Sequence, residues 1–187
     1  MTEIERLRLF VAADVPEDRL SALDEDAAEL KGKLEARWAP LENQHVTLKF
    51  LGTTLSDRLD EVLEAVRIVA RSHASARLSL ADLGAFPSPR RARVLWAGLD
   101  DPEELTPALA RDLDAAMEPL GYRAEKRAFT PHLTLARFKV PAKVEGLLFS
   151  PGEAAREPFA LEAVHLYRSR LSPKGARYEV LEEIPLS

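Results

Sequence analysis

The chain has 187 residues, a length typical of one domain of about 100–200 residues, and 46% of its residues are hydrophobic. This apolar content is sufficient for a sizeable core and excludes a disordered or low-complexity chain. The formal net charge is −5, so any contact with nucleic acid must depend on a local basic patch. The absence of cysteine excludes disulfides, thiolate metal sites and a cysteine nucleophile.

The hydrophobic segments of the chain are short. None approaches the roughly 18–20 apolar residues that span a bilayer. The apolar run 9–13 is too short for the core of a signal peptide. We therefore expect a cytoplasmic monomer without a membrane partner.

The spacing of apolar residues predicts the order β-α-β-α-β in the first half of the chain. Residues 6–13 alternate as a strand does, and Pro16 and Glu17 open a helix whose apolar stripe ends at Leu34. The next elements are predicted to be a strand closed by Gly52, a helix and a strand, at 45–51, 59–69 and 76–83.

After the turn 86–89, the patterns predict a second series, β-α-β-α-β-β. Its elements are predicted at 91–99, 101–120, 132–138, 142–148, 159–168 and 178–185. Leu7 and His45 are 38 residues apart in the first series, and Arg93 and His132 are 39 apart in the second. An internal duplication explains this similarity, with approximate halves 1–86 and 87–187 in one bilobal domain of α+β class.

A short motif occurs once in each half, as Gln44–Leu48 (QHVTL) and Pro131–Leu135 (PHLTL). Side chains alternate along a strand, so His45 and Thr47 point to one face and the aliphatic residues to the other. The second copy repeats this arrangement. Each motif therefore buries two aliphatic side chains and presents one imidazole and one hydroxyl.

Two such motifs facing one cleft would suit in-line displacement at a phosphodiester. One imidazole can take a proton from water while the other gives a proton to the departing oxygen. The threonine hydroxyls can donate hydrogen bonds to non-bridging phosphate oxygens. A zinc site is the alternative, but neither motif contains Asp or Glu, and no His-x-His pair occurs. We therefore expect no metal and no cofactor.

Five segments together resemble a known family: Arg8–Ala13, Gln44–Gly52, Arg93–Gly98, Phe129–Arg137 and Leu166–Glu179. They are similar to the two-histidine phosphoesterases, and among these to the prokaryotic RNA 2′,3′-cyclic phosphodiesterases, also called 2′-5′ RNA ligases. The resemblance covers nearly the whole chain.

This resemblance implies two pseudo-symmetric lobes of antiparallel sheet with outer helices and a central cleft. It also implies metal-independent opening of a terminal 2′,3′-cyclic phosphate to a 2′-phosphate, on RNA ends or nucleoside 2′,3′-cyclic phosphates. On the family's pattern His45 is the proton donor, His132 the proton acceptor, and Thr47 and Thr134 hold phosphate oxygens. The residues alone leave the choice of acid and base open.

Four further residues are candidates for substrate binding. Lys49 shares the face of His45 if alternation holds, whereas Arg137 falls on the opposite face unless a bulge intervenes. Phe50 and Tyr167 are potential stacking partners for a base, although aromatic residues on strands are more often part of the core. An RNA path could use the basic clusters of Arg90, Arg91 and Arg93, of Arg123, Lys126 and Arg127, and of Arg168, Arg170, Lys174 and Arg177.

Other functions remain compatible with the same motifs. The chain could be a non-catalytic module that binds a nucleotide or RNA in the cleft, or a 2′-5′ oligonucleotide phosphodiesterase. Because microscopic reversibility lets the same histidines join RNA ends, reversible 2′-5′ RNA ligation is also an expected activity of the resembled family.

Overall fold

A computed structural model describes residues 4–173 and 175–187. The strands within these residues are β1 (Arg6–Ala13), β2 (Arg37–Trp38), β3 (Val46–Leu55), β4 (Ala76–Phe86), β5 (Ala92–Asp100), β6 (His132–Ala142), β7 (Phe159–Leu161), β8 (Ala163–Ser172) and β9 (Gly175–Pro185). The helices are α1 (Glu17–Asp26), α2 (Ala28–Lys33), α3 (Leu59–Arg71), α4 (Leu105–Met117) and α5 (Glu153–Arg156). None of these helices has the length and apolar character needed to cross a bilayer.

The strands form one antiparallel sheet in the order β7-β4-β5-β6-β3-β1-β8-β9, with β2 paired to β6. The motif strands β3 and β6 are neighbours at the centre, and a series of three strands continues outward from each. The fold is therefore α+β with two pseudo-symmetric lobes, as the sequence predicts.

The spatial lobes do not coincide with the predicted sequence halves. Strand β4 of the first half pairs with β5 of the second half, and β8 of the second half pairs with β1 of the first half. The halves 1–86 and 87–187 thus exchange β4 for β8 and β9, and the division remains a prediction about the sequence rather than a boundary between lobes.

One face of the sheet is covered by helices, and this face contains the core. On β1 the side chains of Leu7, Leu9 and Val11 are buried there. Helix α4 packs a stripe of apolar residues into the same core. It begins after Asp101, whose carboxylate accepts hydrogen bonds from the backbone N–H of Leu105 (3.0 Å) and of Thr106 (2.7 Å). The opposite face of the sheet is left free to form a cleft.

The predicted helix at 142–148 is wrong. Strand β6 continues to Ala142, and Gly146 has a left-handed backbone (φ 79°) that interrupts any helix here. Val144 is nevertheless buried, and its N–H donates to the carbonyl of Pro89 (2.8 Å). The apolar residues at 142–148 therefore belong to a turn that packs against the core, and they do not form the stripe of a helix.

Three other boundaries differ from the predictions. The strand expected at 159–168 is interrupted at Glu162, because β7 pairs with β4 and β8 pairs with β1. Strand β3 continues past Gly52, which takes φ 68° within it. The first helix is divided at Ala27, although helical hydrogen bonds continue on both sides of this residue.

Candidate active site

The two motifs meet at the centre of the sheet. Val46 of β3 pairs with Leu133 of β6 in antiparallel register, and both side chains are buried in the core. In such a register His45 lies beside Thr134, and Thr47 lies beside His132. The two histidines then occupy diagonal positions with Cα atoms roughly 7–8 Å apart. All four residues line one cleft with a volume of about 2020 Å³.

A β-bulge follows the first motif. Ala12 pairs with Thr47 and Val11 pairs with Lys49, so Leu48 is an extra residue in β3. Lys49 therefore points to the core side together with Val11, whose side chain is fully buried. The alternation expected from the sequence fails at this position.

The expectation that Lys49 shares the face of His45 is accordingly wrong. Its side chain is only 4% exposed and forms an ion pair with Asp114 of α4. Its ammonium also donates to the carbonyl of Arg123 (2.6 Å), and the second oxygen of Asp114 accepts from the N–H of Glu125 (3.0 Å). Lys49 thus anchors the segment 123–125 and lines the edge of the cleft from the core side of the strand.

An equivalent bulge follows the second motif. The register of β6 against β5 shifts at the same point, and Leu135 is the extra residue after Thr134. Arg137 therefore lies on the cleft face, which is the outcome that the sequence made conditional on a bulge. Phe50 takes the corresponding position in β3, where it is 69% exposed and lines the cleft.

Aromatic rings surround His45. Its imidazole stacks on Phe10 with ring centroids 4.8 Å apart, and Tyr178 approaches edge-on at 5.1 Å. This burial lowers the pKa of His45 from 6.5 to about 4. The imidazole is therefore neutral near pH 7 when the cleft holds no anion.

Tyr167 belongs to this aromatic group and not to the open cleft. It stacks on Phe10 at 5.1 Å and lies 5.7 Å from the ring of His45. Its hydroxyl donates to the Asp14 carboxylate, with both oxygens at 2.8 Å. Burial, followed by the hydrogen bond to Asp14, raises the pKa of Tyr167 above its ordinary value. Only 9% of the residue is exposed, and Tyr167 is not among the residues that line the cleft, so stacking on a substrate base stays a prediction that this placement does not support.

His132 is held by a hydrogen bond as well as by aromatic contacts. Its Nδ1 lies 2.7 Å from the carbonyl oxygen of Thr130. A carbonyl only accepts, so Nδ1 carries the proton and Nε2 of the neutral ring is a free acceptor. Phe86 meets the ring edge-on at 5.1 Å. Burial and, more weakly, the charge of Arg137 lower the pKa of His132, while the bond to Thr130 opposes them.

The cleft walls are rich in arginine. Those that line it are Arg8, Arg37, Arg93, Arg111, Arg123, Arg127 and Arg137. Lys174 of the predicted basic clusters lies outside the described residues. Within the described part of the chain, no three His, Asp or Glu side chains are grouped as metal ligands.

Sequence reasoning missed Phe10, Asp14 and Arg37. A signal for Phe10 exists, because it alternates with Leu9 and Val11 and must lie on the face of β1 opposite the core. Asp14 and Arg37 carry no comparable signal, since the residues they meet, Tyr167 and Arg137, are distant in sequence.

Two His-x-Thr motifs that face one cleft, at the junction of two pseudo-symmetric lobes, define a phosphoesterase of the two-histidine class. The family model described as LigT like Phosphoesterase matches the chain over residues 13–96 and 99–178. The chain belongs to this family.

Relatives and solved structures agree with this assignment. The chain is 32% identical over 183 residues to the RNA 2′,3′-cyclic phosphodiesterase of Methanothermobacter thermautotrophicus, covering 95% of this chain and 97% of that protein. It is 35% identical over 189 residues to the Thermus thermophilus protein of the same name, covering 96% and 90%.

Two crystal structures are similar over almost their whole length. The structure of TT0787 of Thermus thermophilus has a TM-score of 0.83 at 33% identity, covering 96% of this chain and 97% of that chain. The structure of Escherichia coli LigT in complex with 3′-AMP has a TM-score of 0.78 at 26% identity, covering 98% and 99%.

Proposed function

We propose that this protein is an RNA 2′,3′-cyclic phosphodiesterase that opens the cyclic phosphate at an RNA end and leaves a 2′-phosphate, without a metal ion. The observation that carries the proposal is the pairing of Val46 with Leu133, which sets both His-x-Thr motifs side by side on the cleft face. The names of the relatives at about 30% identity support the same activity.

In the proposed reaction the cyclic phosphate lies between the two imidazoles. His132 takes a proton from water through Nε2, and the water oxygen forms a bond to phosphorus. The bond from phosphorus to the 3′ oxygen breaks, and His45 gives its proton to that oxygen. Thr47 and Thr134 donate hydrogen bonds to the non-bridging oxygens as charge develops there.

The environments of the two histidines support this division of roles. His45 has its pKa lowered to about 4, so its protonated form is the stronger proton donor. His132 keeps a free Nε2 because its Nδ1 donates to Thr130, and that hydrogen bond favours protonation of the ring. The better acid and the better base thus face the same phosphorus.

Binding of the substrate favours protonation of His45, which takes its proton from the solvent. A cyclic phosphodiester carries one negative charge, and an anion in contact with an imidazole raises its pKa. The substrate therefore promotes the protonated state that its own leaving group requires.

The experiment uses a short RNA that ends in a 2′,3′-cyclic phosphate, with identification of the product isomer. We expect a 2′-phosphate, unchanged turnover in EDTA, and losses of at least about 10²-fold in His45→Ala and His132→Ala. The control is His73→Gln, since His73 lies outside the cleft and bonds to Asp112.

Nearly full activity of either alanine variant would contradict the mechanism. Loss of activity in EDTA with recovery on adding zinc would favour a metal site. Tight RNA binding without turnover, unaffected by either alanine substitution, would favour the non-catalytic module.

A further inference from the structure

The volume of the cleft exceeds what a single nucleotide needs. At about 2020 Å³ it is roughly twice the upper end of ordinary small-molecule pockets, which reach about 1,000 Å³. Exposed apolar side chains, Phe50 and Leu171, line the same cleft and are available to unstacked bases. The cleft therefore has space and contacts for nucleotides beyond the one that reacts.

Most of the arginines that line this cleft have no carboxylate partner among the residues that the structure describes. Of these seven, only Arg111 forms a salt bridge within residues 4–173 and 175–187, with Asp112. Arginines elsewhere, such as Arg19, Arg58 and Arg67, are paired with acidic side chains. Four acidic residues also line the cleft, and one of them, Asp114, is paired with Lys49. In a chain of net charge −5, the seven arginines therefore leave an excess of positive charge in the cleft.

Arg37 has a distinctive position among these residues. It is the direct cross-strand partner of Arg137, and like charges opposite each other in a sheet are destabilising. Arg37 and Arg137 therefore form a pair that an anion between or beside them would stabilise. The Arg37 guanidinium also lies against the backbone of Gly175, where an added Cβ would sit only 2.3 Å from Nη2.

The pair is displaced from the reacting phosphate. Arg137 follows Thr134 by three residues, but the bulge at Leu135 sets the two opposite β5 residues that are only two apart, Val94 and Trp96. Arg137 and Thr134 are therefore separated by roughly 7 Å along the strand, and Arg37 lies one strand farther, about 4.8 Å away. Burial is the main cause of the lowered pKa of His132, and Arg137 is close enough for its charge to lower that pKa further. Arg37 is thus placed for the next phosphate along a bound strand.

We propose that Arg37 binds the phosphodiester on the 5′ side of the reacting nucleotide, so that the protein acts on the end of an RNA strand in preference to a nucleoside cyclic phosphate. This inference rests on the proposed function. Planar guanidinium groups suit such a contact because they present paired N–H donors to phosphate oxygens.

The test compares three substrates that share the same reacting group. They are adenosine 2′,3′-cyclic phosphate, the same compound with a 5′-phosphate, and a trinucleotide ending in adenosine 2′,3′-cyclic phosphate. We expect kcat/KM to rise by about tenfold or more when the 5′ phosphate is present, as one charge-assisted contact allows. Arg37→Gln should remove most of this gain and leave hydrolysis of the unphosphorylated nucleoside within about twofold.

The matched control is Arg156→Gln, which removes the same charge from α5, outside the cleft. With the trinucleotide, the slope of log kcat/KM against log salt concentration should become shallower by about 0.7 in Arg37→Gln, the value for one phosphate contact on a single strand. Arg156→Gln should leave both the slope and the substrate ratio unchanged.

Equal losses on all three substrates, or no loss on any, would overturn the role of Arg37. Failure of the wild-type protein to hydrolyse even the nucleoside would instead refute the proposed function. In that case the subsite is still tested by equilibrium binding of two ligands, a trinucleotide with a 3′-terminal 2′-phosphate and the nucleoside 2′-phosphate. Arg37→Gln should weaken binding of the trinucleotide more than binding of the nucleoside, and Arg156→Gln should change neither.

Discussion

Substitution of His45 by glutamine should change how the stability of the protein depends on pH. Burial lowers the pKa of His45 from 6.5 to about 4 in the folded state. In the unfolded chain the imidazole is hydrated, and its pKa returns to about 6.5. The unfolded state therefore binds a proton more readily, so His45 contributes stability above pH 6.5 that is lost as the pH falls toward 4.

The two pKa values of His45 set the size of this effect. At 1.36 kcal/mol per pKa unit, the whole difference corresponds to about 3.4 kcal/mol. At about pH 5 the unfolded imidazole is mostly charged and the native one mostly neutral, and the loss is about 2 kcal/mol. Glutamine does not titrate, so His45→Gln should lose about 2 kcal/mol less than wild type between about pH 7.5 and pH 5.

Urea denaturation followed by tryptophan fluorescence gives the free energy of unfolding for both proteins at both pH values. Each protein is compared with itself, so the pH-independent cost of the substitution cancels. Titrating groups that the substitution does not touch contribute equally to both proteins and cancel as well. An equal loss of stability in the two proteins, or a greater loss in His45→Gln, would refute the buried, neutral imidazole.

Three other properties of the site are measurable. Because His45 and His132 both have lowered pKa values, the bell-shaped pH profile of kcat/KM should peak below pH 6.5. The profile of kcat should peak at a higher pH, because the bound anion raises these pKa values. A peak of kcat/KM above about pH 7 would contradict this. Tyr167→Phe removes the hydroxyl that donates to Asp14, and it should lower kcat several-fold and shift the NMR titration of His45. The control is Tyr122→Phe, which loses a comparable hydrogen bond to Thr54 on the helix side of the sheet and should do neither. Gly84→Ala would place a Cβ 2.2 Å from the ring of Trp96 and should lower the free energy of unfolding, measured by thermal unfolding, by about 1–3 kcal/mol. The control is Gly32→Ala in α2, where an added Cβ meets nothing within 4 Å, and it should raise the free energy of unfolding by about 0.5–1 kcal/mol.

The motif strands were predictable from sequence because their side chains alternate with period two and the pattern occurs twice. The sequence did not predict which face of the sheet the residues after each motif occupy. A bulge adds one residue without changing the composition of the strand, so periodicity alone assigns Lys49 to the cleft and Arg137 to the core side. Both assignments are reversed by the extra residues Leu48 and Leu135.

The exchange of β4 for β8 and β9 between the lobes was also beyond the sequence pattern. Strand β4 is amphipathic in the way that either lobe would require, and its pairing with β5 depends on contacts between residues far apart in the chain. The aromatic surroundings of His45 have the same origin. Tyr167 reaches Phe10 only because β8 crosses to the lobe that contains β1.

In the proposed mechanism the two imidazoles transfer protons in opposite directions at one phosphorus, which requires that their surroundings differ. The sheet register identifies where they diverged. Ala12 and Trp96 pair with the two motif threonines, so two residues later Asp14 corresponds to Gly98.

The same comparison matches Tyr167 with Phe86, because their partners Phe10 and Val94 lie at equivalent points of β1 and β5. The lobe of His45 therefore has a hydroxyl and a carboxylate where the lobe of His132 has neither. Phe50 and Arg137 differ in the same way after the bulges, so the cleft has an apolar side chain beside the first motif and a positive charge beside the second. In the proposed mechanism these differences in the surrounding residues are what make one copy of the motif the acid and the other the base, while the motifs themselves stay alike.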